Sequence, residues 1–160
     1  AGRRNLQSLQ DVCKVSVGLE NLSMAFSIND VQQQGDFIEA LLEPVNGFLL
    51  LDLHNLYAQS VNFEIPAIDL MKSYPLSKVK EIHISGGSWS PSHSGKRKQL
   101  RRDTHDGPVP TEVFDLLVSA VDFCPQLEFI ILERLGNTME EPDEEMQFIA
   151  DYQRMRSSLQ

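Results

Sequence analysis

The chain has 160 residues, of which 41% are hydrophobic and 23% charged, and this balance is typical of one soluble globular domain. Its net charge of −9 argues against nucleic acid or an anionic membrane as a partner, because both are polyanions. Apolar runs such as "GFLLL" are much shorter than the roughly 20 residues of a membrane helix, and the first residues do not resemble a signal peptide, so we predict a cytoplasmic protein.

Four short apolar segments predict β-strands, and each is followed by a helical pattern. The segments begin at Val15, Gly47, Val79 and Leu127. The first three begin at equal intervals, and a polar insertion between Gly86 and Arg102 delays the fourth. Strands and helices that alternate in this way predict parallel βα units in an α/β fold, within a single domain over residues 1–160.

Two helices are predicted from the spacing of apolar residues in the body of the chain. The first covers residues 36–45, with Phe37, Leu41 and Leu42 on its apolar side and Pro44 at its end. The second covers residues 110–123 with Thr111 as its cap. Its predicted buried positions are Val113, Leu116, Leu117, Ala120 and Val121.

The acidic C-terminal segment, residues 140–159, predicts a closing helix with one solvated face. Met146, Ile149, Ala150 and Met155 recur there at roughly helical spacing. The two cysteines, Cys13 and Cys124, form neither a CxxC motif nor a disulfide framework. We therefore expect both of them to be buried thiols.

Side chains that can bind a metal or transfer a proton lie at the end of every predicted strand. They are Glu20, Asp52, His54, Asn55, His83, Asp103, His105 and Glu133. In parallel α/β folds the functional site is built from the loops after the carboxyl ends of the strands. Each residue alone also fits a structural role, such as a cap, a turn or a core histidine. Together, carboxylates and imidazoles without clustered thiols suit iron, manganese or zinc.

The segment "DTH" places Asp103 and His105 two residues apart. In an extended segment such residues point the same way, so both can meet one metal ion. The run "HSGKRKQLRR", just before this pair, is strongly basic in an acidic protein. It fits either a solvated, mobile loop or a lid that receives an acidic ligand or peptide. The sequence has no G-x-S-x-G, G-x-x-x-x-G-K-[ST] or G-x-G-x-x-G motif, which argues against serine hydrolases and nucleotide-binding folds.

Five motifs, in order, resemble one known family. They are "LENLS", "LLLDLHNLYAQSVNF", "VKEIHISGG", "DTHDGPVPTEVFDLL" and "ILERLGN". On these residues the chain is similar to the multinuclear non-haem iron-dependent oxidative enzyme (MNIO) family over roughly residues 12–137. The resemblance implies a TIM barrel of the xylose-isomerase-like group that contains two or three iron ions. It also implies oxygen-dependent modification of a side chain, often cysteine, in a ribosomally made precursor peptide (RiPP biosynthesis), commonly with a partner protein that delivers the peptide.

Carried over by motif, the resemblance implies a set of metal ligands. They are Glu20, Asp52, Asn55, His83, Asp103 and His105, with His54 and Glu133 as additional candidates. The chain departs from the family pattern at three positions. His54 stands at the first asparagine of a D-x-N-N pattern, Gly87 stands where many members have a second histidine, and Leu135 stands at the aspartate of an E-x-D pattern. These departures leave the number of iron ions open.

The matched motifs belong to strands five to eight of the family's barrel, and a complete TIM barrel has about 250 residues. We therefore expect the chain to be the C-terminal half of a (β/α)8 barrel and a fragment of a longer protein. Such a half barrel, expressed alone, is expected to self-associate through its open edges. Two alternatives remain open: a divalent-metal isomerase or phosphoesterase of the same fold group, and a non-catalytic binding module derived from it.

Overall fold

The computed structural model describes residues 1–92 and 99–159, which form six helices and six strands. The helices are α1 (Gly2–Cys13), α2 (Ile28–Leu42), α3 (Leu53–Phe63), α4 (Ala67–Lys72), α5 (Thr111–Phe123) and α6 (Pro142–Ser157). The strands are β1 (Gly18–Glu20), β2 (Phe48–Asp52), β3 (Val79–Ser85), β4 (Trp89–Pro91), β5 (Gln99–Arg101) and β6 (Phe129–Glu133). Short 3-10 turns cover Glu43–Val45, Leu76–Lys78 and Gly136–Thr138. In the described part of the chain, no helix is long and apolar enough to span a bilayer.

The strands β1, β2, β3 and β6 form one parallel sheet in that order. Successive strands of this sheet are joined through helices, as parallel connections require. The structure therefore confirms the predicted α/β architecture with a parallel sheet. The strands β4 and β5, which were not predicted, pair as an antiparallel hairpin inside the polar insertion.

The two faces of the sheet differ in burial. Leu49, Leu51 and Ile82 are fully buried in the apolar core with residues of α2, α3 and α5. On the opposite face of β6, Phe129 and Ile131 are 59% and 40% exposed. Because side chains alternate along a strand, the residues that share this second face all point away from the helices. The helices of the described chain thus cover one face of the sheet and leave the other largely open.

Helix α2 begins earlier than predicted, and of the predicted apolar-side residues Leu42 is fully buried. The side chain of Ser27 accepts a hydrogen bond from the backbone N–H of Asp30 and caps the helix at its N-terminus. Phe37, a predicted apolar-face residue, is 64% exposed, and the buried residues include Val31 and Ile38 instead. Pro44 lies in the 3-10 turn after the helix, as expected for a residue that ends it. Helix α1 was not predicted, because its sequence is mostly polar. In the structure none of its residues is buried.

Thr111 is not the cap of helix α5. The capping position belongs to Pro110, and the Thr111 hydroxyl accepts a hydrogen bond from Arg154 Nη1 at 3.2 Å. Val121 is 37% exposed rather than buried, whereas Phe114 is almost fully buried. In this helix the core lies on the side of Phe114 and Leu117, which turns Val121 toward solvent.

The apolar positions predicted in α6 are mostly exposed. Met146 and Ile149 are 59% and 46% exposed, and of the predicted positions only Met155 is buried. The helix is held instead by a buried Asp151, whose Oδ2 accepts a hydrogen bond from the backbone N–H of Val109 at 3.0 Å.

One of the two cysteine predictions is wrong. Cys124 is buried, but Cys13 is exposed because it ends the surface helix α1. The prediction for the basic run is only partly addressed, since its residues 93–98 lie outside the described residues. Arg101, the last residue but one of the same run, is not solvated and is only 7% exposed.

Substitution of Gly35 by alanine is expected to destabilise the protein by about 1–3 kcal/mol, the usual cost of overpacking. A Cβ atom at Gly35 would press against the backbone carbonyl of Ser73, which cannot move as freely as a side chain. Urea denaturation of the full-length protein measures the effect. Gly136→Ala is the matched control, because a Cβ atom there meets nothing within 4 Å. Equal denaturation midpoints for the two variants would contradict this packing argument.

Candidate metal centre

The parallel sheet brings the candidate residues to one end. Glu20 and Asp52 are the last residues of β1 and β2, and Glu133 is the last residue of β6. His83 pairs in register with Asp52 and lies two residues before the end of β3. These side chains meet because parallel strands direct their carboxyl ends to the same edge.

Two groups of three side chains have the spacing of a metal site. The first consists of Glu20, Asp52 and His83, and the second of Asp52, His105 and Glu133. Within each group the ligand atoms lie within 4.8 Å of one another. Asp52 belongs to both groups, so its carboxylate lies between two sets of oxygen and nitrogen ligands.

Asp52 itself has the chemistry of a metal ligand. Its Oδ1 caps helix α3 by accepting the backbone N–H of Asn55 at 2.7 Å. Its Oδ2 is buried and has no hydrogen-bond partner among the described residues. Burial raises the pKa of Asp52 to about 7, and the neighbouring carboxylates of Asp103 and Glu20 add to this effect. A buried carboxylate with an unpaired oxygen is costly, and a bound cation relieves that cost.

Asn21 and Asn55 tie β1 to the start of α3. The Asn21 side chain accepts from the Asp52 backbone N–H at 2.7 Å and donates to the Asp52 carbonyl at 3.0 Å. Asn55 Nδ2 donates to the Asn21 carbonyl at 2.8 Å and to Glu20 Oε1 at 3.3 Å. The Oδ1 of Asn55 is buried without a partner among the described residues, so it is also available to a cation. Asn21 was not among the predicted site residues, although it follows Glu20 in the motif "LENLS".

His83 lies between two carboxylates. Its Nε2 is 2.7 Å from Glu81 Oε1, and its Nδ1 is 3.1 Å from Glu133 Oε1. Glu81 was missed in the sequence. The available signal was its position two residues before His83 on the same strand, which places both side chains on one face.

Asp103 and His105 follow β5 and contact each other. His105 Nε2 lies 2.7 Å from Asp103 Oδ1, and His105 Nδ1 lies 3.5 Å from Glu133 Oε2. The segment is bent rather than extended, because His105 has a left-handed φ of 52° and its carbonyl accepts the Leu135 N–H. Asp103 lies outside both groups of three described above.

The Asp103–His105 contact shifts the pKa of both side chains. Its hydrogen bond to Asp103 raises the pKa of His105 to about 9. Burial acts to raise the pKa of Asp103, but the hydrogen bonds from His105 and His54 outweigh it and hold that pKa well below its usual range. An ionised Asp103 beside a histidine is the arrangement that orients imidazole ligands in many metal sites.

His54 is fully buried beside this pair. Its Nδ1 lies 3.3 Å from Asp103 Oδ1, and its Nε2 accepts a hydrogen bond from Arg101 Nε at 3.1 Å. Burial lowers the pKa of His54, which favours the neutral ring. Neither of the two groups of three found among the described residues includes His54.

Lowering the pH from about 8.5 to about 6.5 is expected to stabilise the metal-free full-length protein. Asp52 and His105 have folded-state pKa values of about 7 and 9, above their ordinary 3.8 and 6.5, so the folded state binds protons more tightly in this range. On acidification, the lowered pKa of His54 reduces stability only below pH 6.5. The lowered pKa of Asp103 does so only below pH 3.8. The check is urea denaturation after chelation at the two pH values. Asp52→Asn should show a smaller gain, and a midpoint that falls on acidification would contradict the prediction.

Comparison with known proteins identifies relatives of this chain. A family model described as "RiPP precursor modification enzyme MbnB/TglH/ChrH" matches residues 3–154, which confirms the family suspected from the five motifs. A UPF0276 protein of Shewanella loihica is 30% identical over 114 residues, covering 71% of this chain and 39% of the relative. A UPF0276 protein of Caulobacter vibrioides is 30% identical over 117 residues, covering 72% and 39%. The chain therefore spans about two fifths of the length of these relatives.

Proposed function

Since this chain belongs to the MbnB/TglH/ChrH family of RiPP precursor modification enzymes, we propose that it forms part of an iron-dependent enzyme that oxidises a side chain, often cysteine, of a ribosomally made precursor peptide with oxygen. The observation that carries the proposal is the pair of ligand groups that share the buried, partly unpaired carboxylate of Asp52. A cytoplasmic location, where precursor peptides are made, and a partner protein that delivers the peptide belong to the same proposal.

The residues that would hold the metal are the members of the two ligand groups, together with Asn55, whose Oδ1 is unpaired among the described residues. They are Glu20, Asp52, Asn55, His83, His105 and Glu133. Carboxylate, amide and imidazole ligands without a thiolate suit individual iron ions. They do not suit an iron–sulfur cluster, which is held by cysteines. When bound, iron would supply oxygen chemistry and a coordination position for a substrate thiolate. Two groups that share one ligand fit two ions, which is the lower of the numbers implied by the family resemblance.

Side chains beside the proposed ligands orient them and balance their charge. Glu81 contacts Nε2 of His83 and would orient its ring, so that Nδ1, on the side of Glu133, would face the metal. Asp103, ionised and in contact with His105 Nε2, leaves His105 Nδ1 facing Glu133. The side chains of Glu133 and His105 are 30% and 25% exposed, so a peptide side chain can reach the centre from the open face of the sheet.

We further propose that the described sheet is the second half, strands five to eight, of a TIM barrel. The open sheet face with Phe129 and Ile131, and the outer positions of β1 and β6, fit a sheet that continues on both sides. The length of the relatives leaves room for the remaining strands. In this arrangement the missing half would complete the ligand sets and the peptide-binding surface, and the isolated half would self-associate.

The test is to co-express the full-length protein with candidate precursor peptides and to measure the peptide mass. We expect a mass change in air that is absent under strictly anaerobic conditions and absent with Asp52→Asn. Turnover of a sugar or a phosphoester without oxygen would instead support a divalent-metal isomerase or phosphoesterase, and the proposed oxidative function would be withdrawn.

A further inference from the structure

A chain of side chains runs from the β4–β5 hairpin to the edge of the candidate centre. Arg101 Nε donates to His54 Nε2, His54 Nδ1 contacts Asp103 Oδ1, and the same Oδ1 contacts His105 Nε2. We propose that His54 is a positioning residue, which Arg101 holds in one tautomer so that it fixes the Asp103 carboxylate that orients His105. The effect on metal binding rests on the proposed function, whereas the tautomer of His54 does not.

The tautomer of His54 follows from which of its neighbours donate hydrogen bonds and which accept them. An arginine guanidinium carries only donors, so the nitrogen that it contacts must accept. His54 Nε2 is therefore unprotonated, and the remaining proton of a neutral ring lies on Nδ1. From Nδ1 that proton points to Asp103 Oδ1 at 3.3 Å. Both nitrogens are then occupied, which leaves His54 no lone pair for a metal.

Arg101 is itself fixed in place. Its backbone N–H donates to Asn62 Oδ1 at 2.9 Å, and its carbonyl accepts from Asn62 Nδ2 at 2.9 Å. Its guanidinium lies 5.5 Å from the ring centroids of both Tyr57 and Trp89. With only 7% of its surface exposed, Arg101 has little freedom to leave His54.

The space for the His54 ring depends on Gly87. A Cβ atom at this position would lie 2.8 Å from His54 Cε1 and would also press against the carbonyl of Arg102. The absence of a side chain at Gly87 therefore lets an imidazole from the first turn of α3 reach Asp103. His54 and Gly87 are thus spatially coupled in this chain.

The effect of His54 on His105 passes through Asp103, which contacts both rings. One carboxylate oxygen accepts hydrogen bonds from two imidazoles, so its position is set from both sides. His105 then uses Nε2 for Asp103, and its Nδ1 faces Glu133 at 3.5 Å. Without the hydrogen bond from His54, Asp103 is held only by His105, and the two side chains can turn together away from the centre.

The direct test is ring-nitrogen NMR of histidine in the metal-free full-length protein. We expect His54 at neutral pH as a neutral ring with its proton on Nδ1, both before and after saturation with Zn²⁺. In Arg101→Met the same ring should populate both tautomers. A His54 ring protonated on Nε2, charged, or shifted at a nitrogen by Zn²⁺ binding would overturn the proposal, whether or not iron is the natural metal.

A Co²⁺ titration of the same protein tests the effect on the centre. His54→Leu removes the donor and should weaken Co²⁺ binding about 10- to 100-fold, as loss of supporting groups does, with altered d–d absorption. His54→Asn should stay close to wild type, because its Nδ2 lies as far from the backbone as the histidine Nδ1 and donates to Asp103. Equal weakening in both variants, or in neither, would contradict a positioning role. If wild type binds no Co²⁺, the proposed function fails, and the NMR result alone decides the tautomer.

Discussion

Replacement of Asp52 by asparagine is expected to weaken Fe²⁺ binding by the full-length protein at least about 100-fold, the upper end of the cost of losing a supporting group. Asp52 is the residue shared by both ligand groups, and the substitution removes the charge of its unpaired Oδ2. The Oδ1 that caps α3 is retained, so the helix should keep its first turn. The measurement is an anaerobic titration of the metal-free protein with Fe²⁺ in competition with a chromogenic chelator.

Ser27→Ala is the matched control for this substitution. Ser27 caps α2 in the same way, by accepting the backbone N–H of Asp30, but it belongs to neither ligand group. It should lower the free energy of unfolding by about 1 kcal/mol and leave Fe²⁺ affinity unchanged. If Asp52→Asn and Ser27→Ala bind Fe²⁺ equally well, Asp52 is only a helix cap.

Replacement of His105 by asparagine is expected to weaken Fe²⁺ binding about 10- to 100-fold or more, since an imidazole is lost from the group that contains Asp52 and Glu133. Asparagine suits the experiment because it tolerates the left-handed φ of 52° that His105 adopts, whereas alanine would add backbone strain. The fold should therefore survive. Metal content after purification and the Fe²⁺ titration both report the effect.

Lys14→Asn provides the backbone control for His105. Lys14 also has a left-handed φ, of 58°, and it follows α1 away from the ligand groups. This variant should retain the metal affinity and the denaturation midpoint of the wild type. Unchanged iron content in His105→Asn would show that "RRDTHDGPVP" is an ordinary turn, and His105 would leave the proposed ligand set.

The strand ends were the most predictable part of the molecule. Near-continuous apolar strands that alternate with helices dictate a parallel sheet, and a parallel sheet dictates that Glu20, Asp52 and Glu133 end at one edge. Helix surfaces were less predictable. Phe37 and Ile149 have the spacing of core residues but face solvent, because neighbouring elements decide which side of a helix is covered.

The side chains around the ligands could not be read from local pattern. Arg101 lies in a basic run that fits either a solvated loop or a lid for an acidic ligand, yet Arg101 itself packs on α3, where Asn62 and Tyr57 hold it. Asp103 and His105 were expected to point the same way along an extended segment, whereas the left-handed backbone at His105 brings them into contact. The first feature depends on contacts between residues distant in sequence and the second on the backbone conformation of one residue, and periodicity encodes neither.

The most direct test of the central claim is the metal content of the full-length protein purified without oxygen, measured by mass spectrometry beside Asp52→Asn. We predict iron as the predominant metal in the wild type and a large loss of iron in the variant. Zinc or magnesium at full occupancy in place of iron, or equal iron in both proteins, would contradict the assignment of the strand-end cluster as an iron centre.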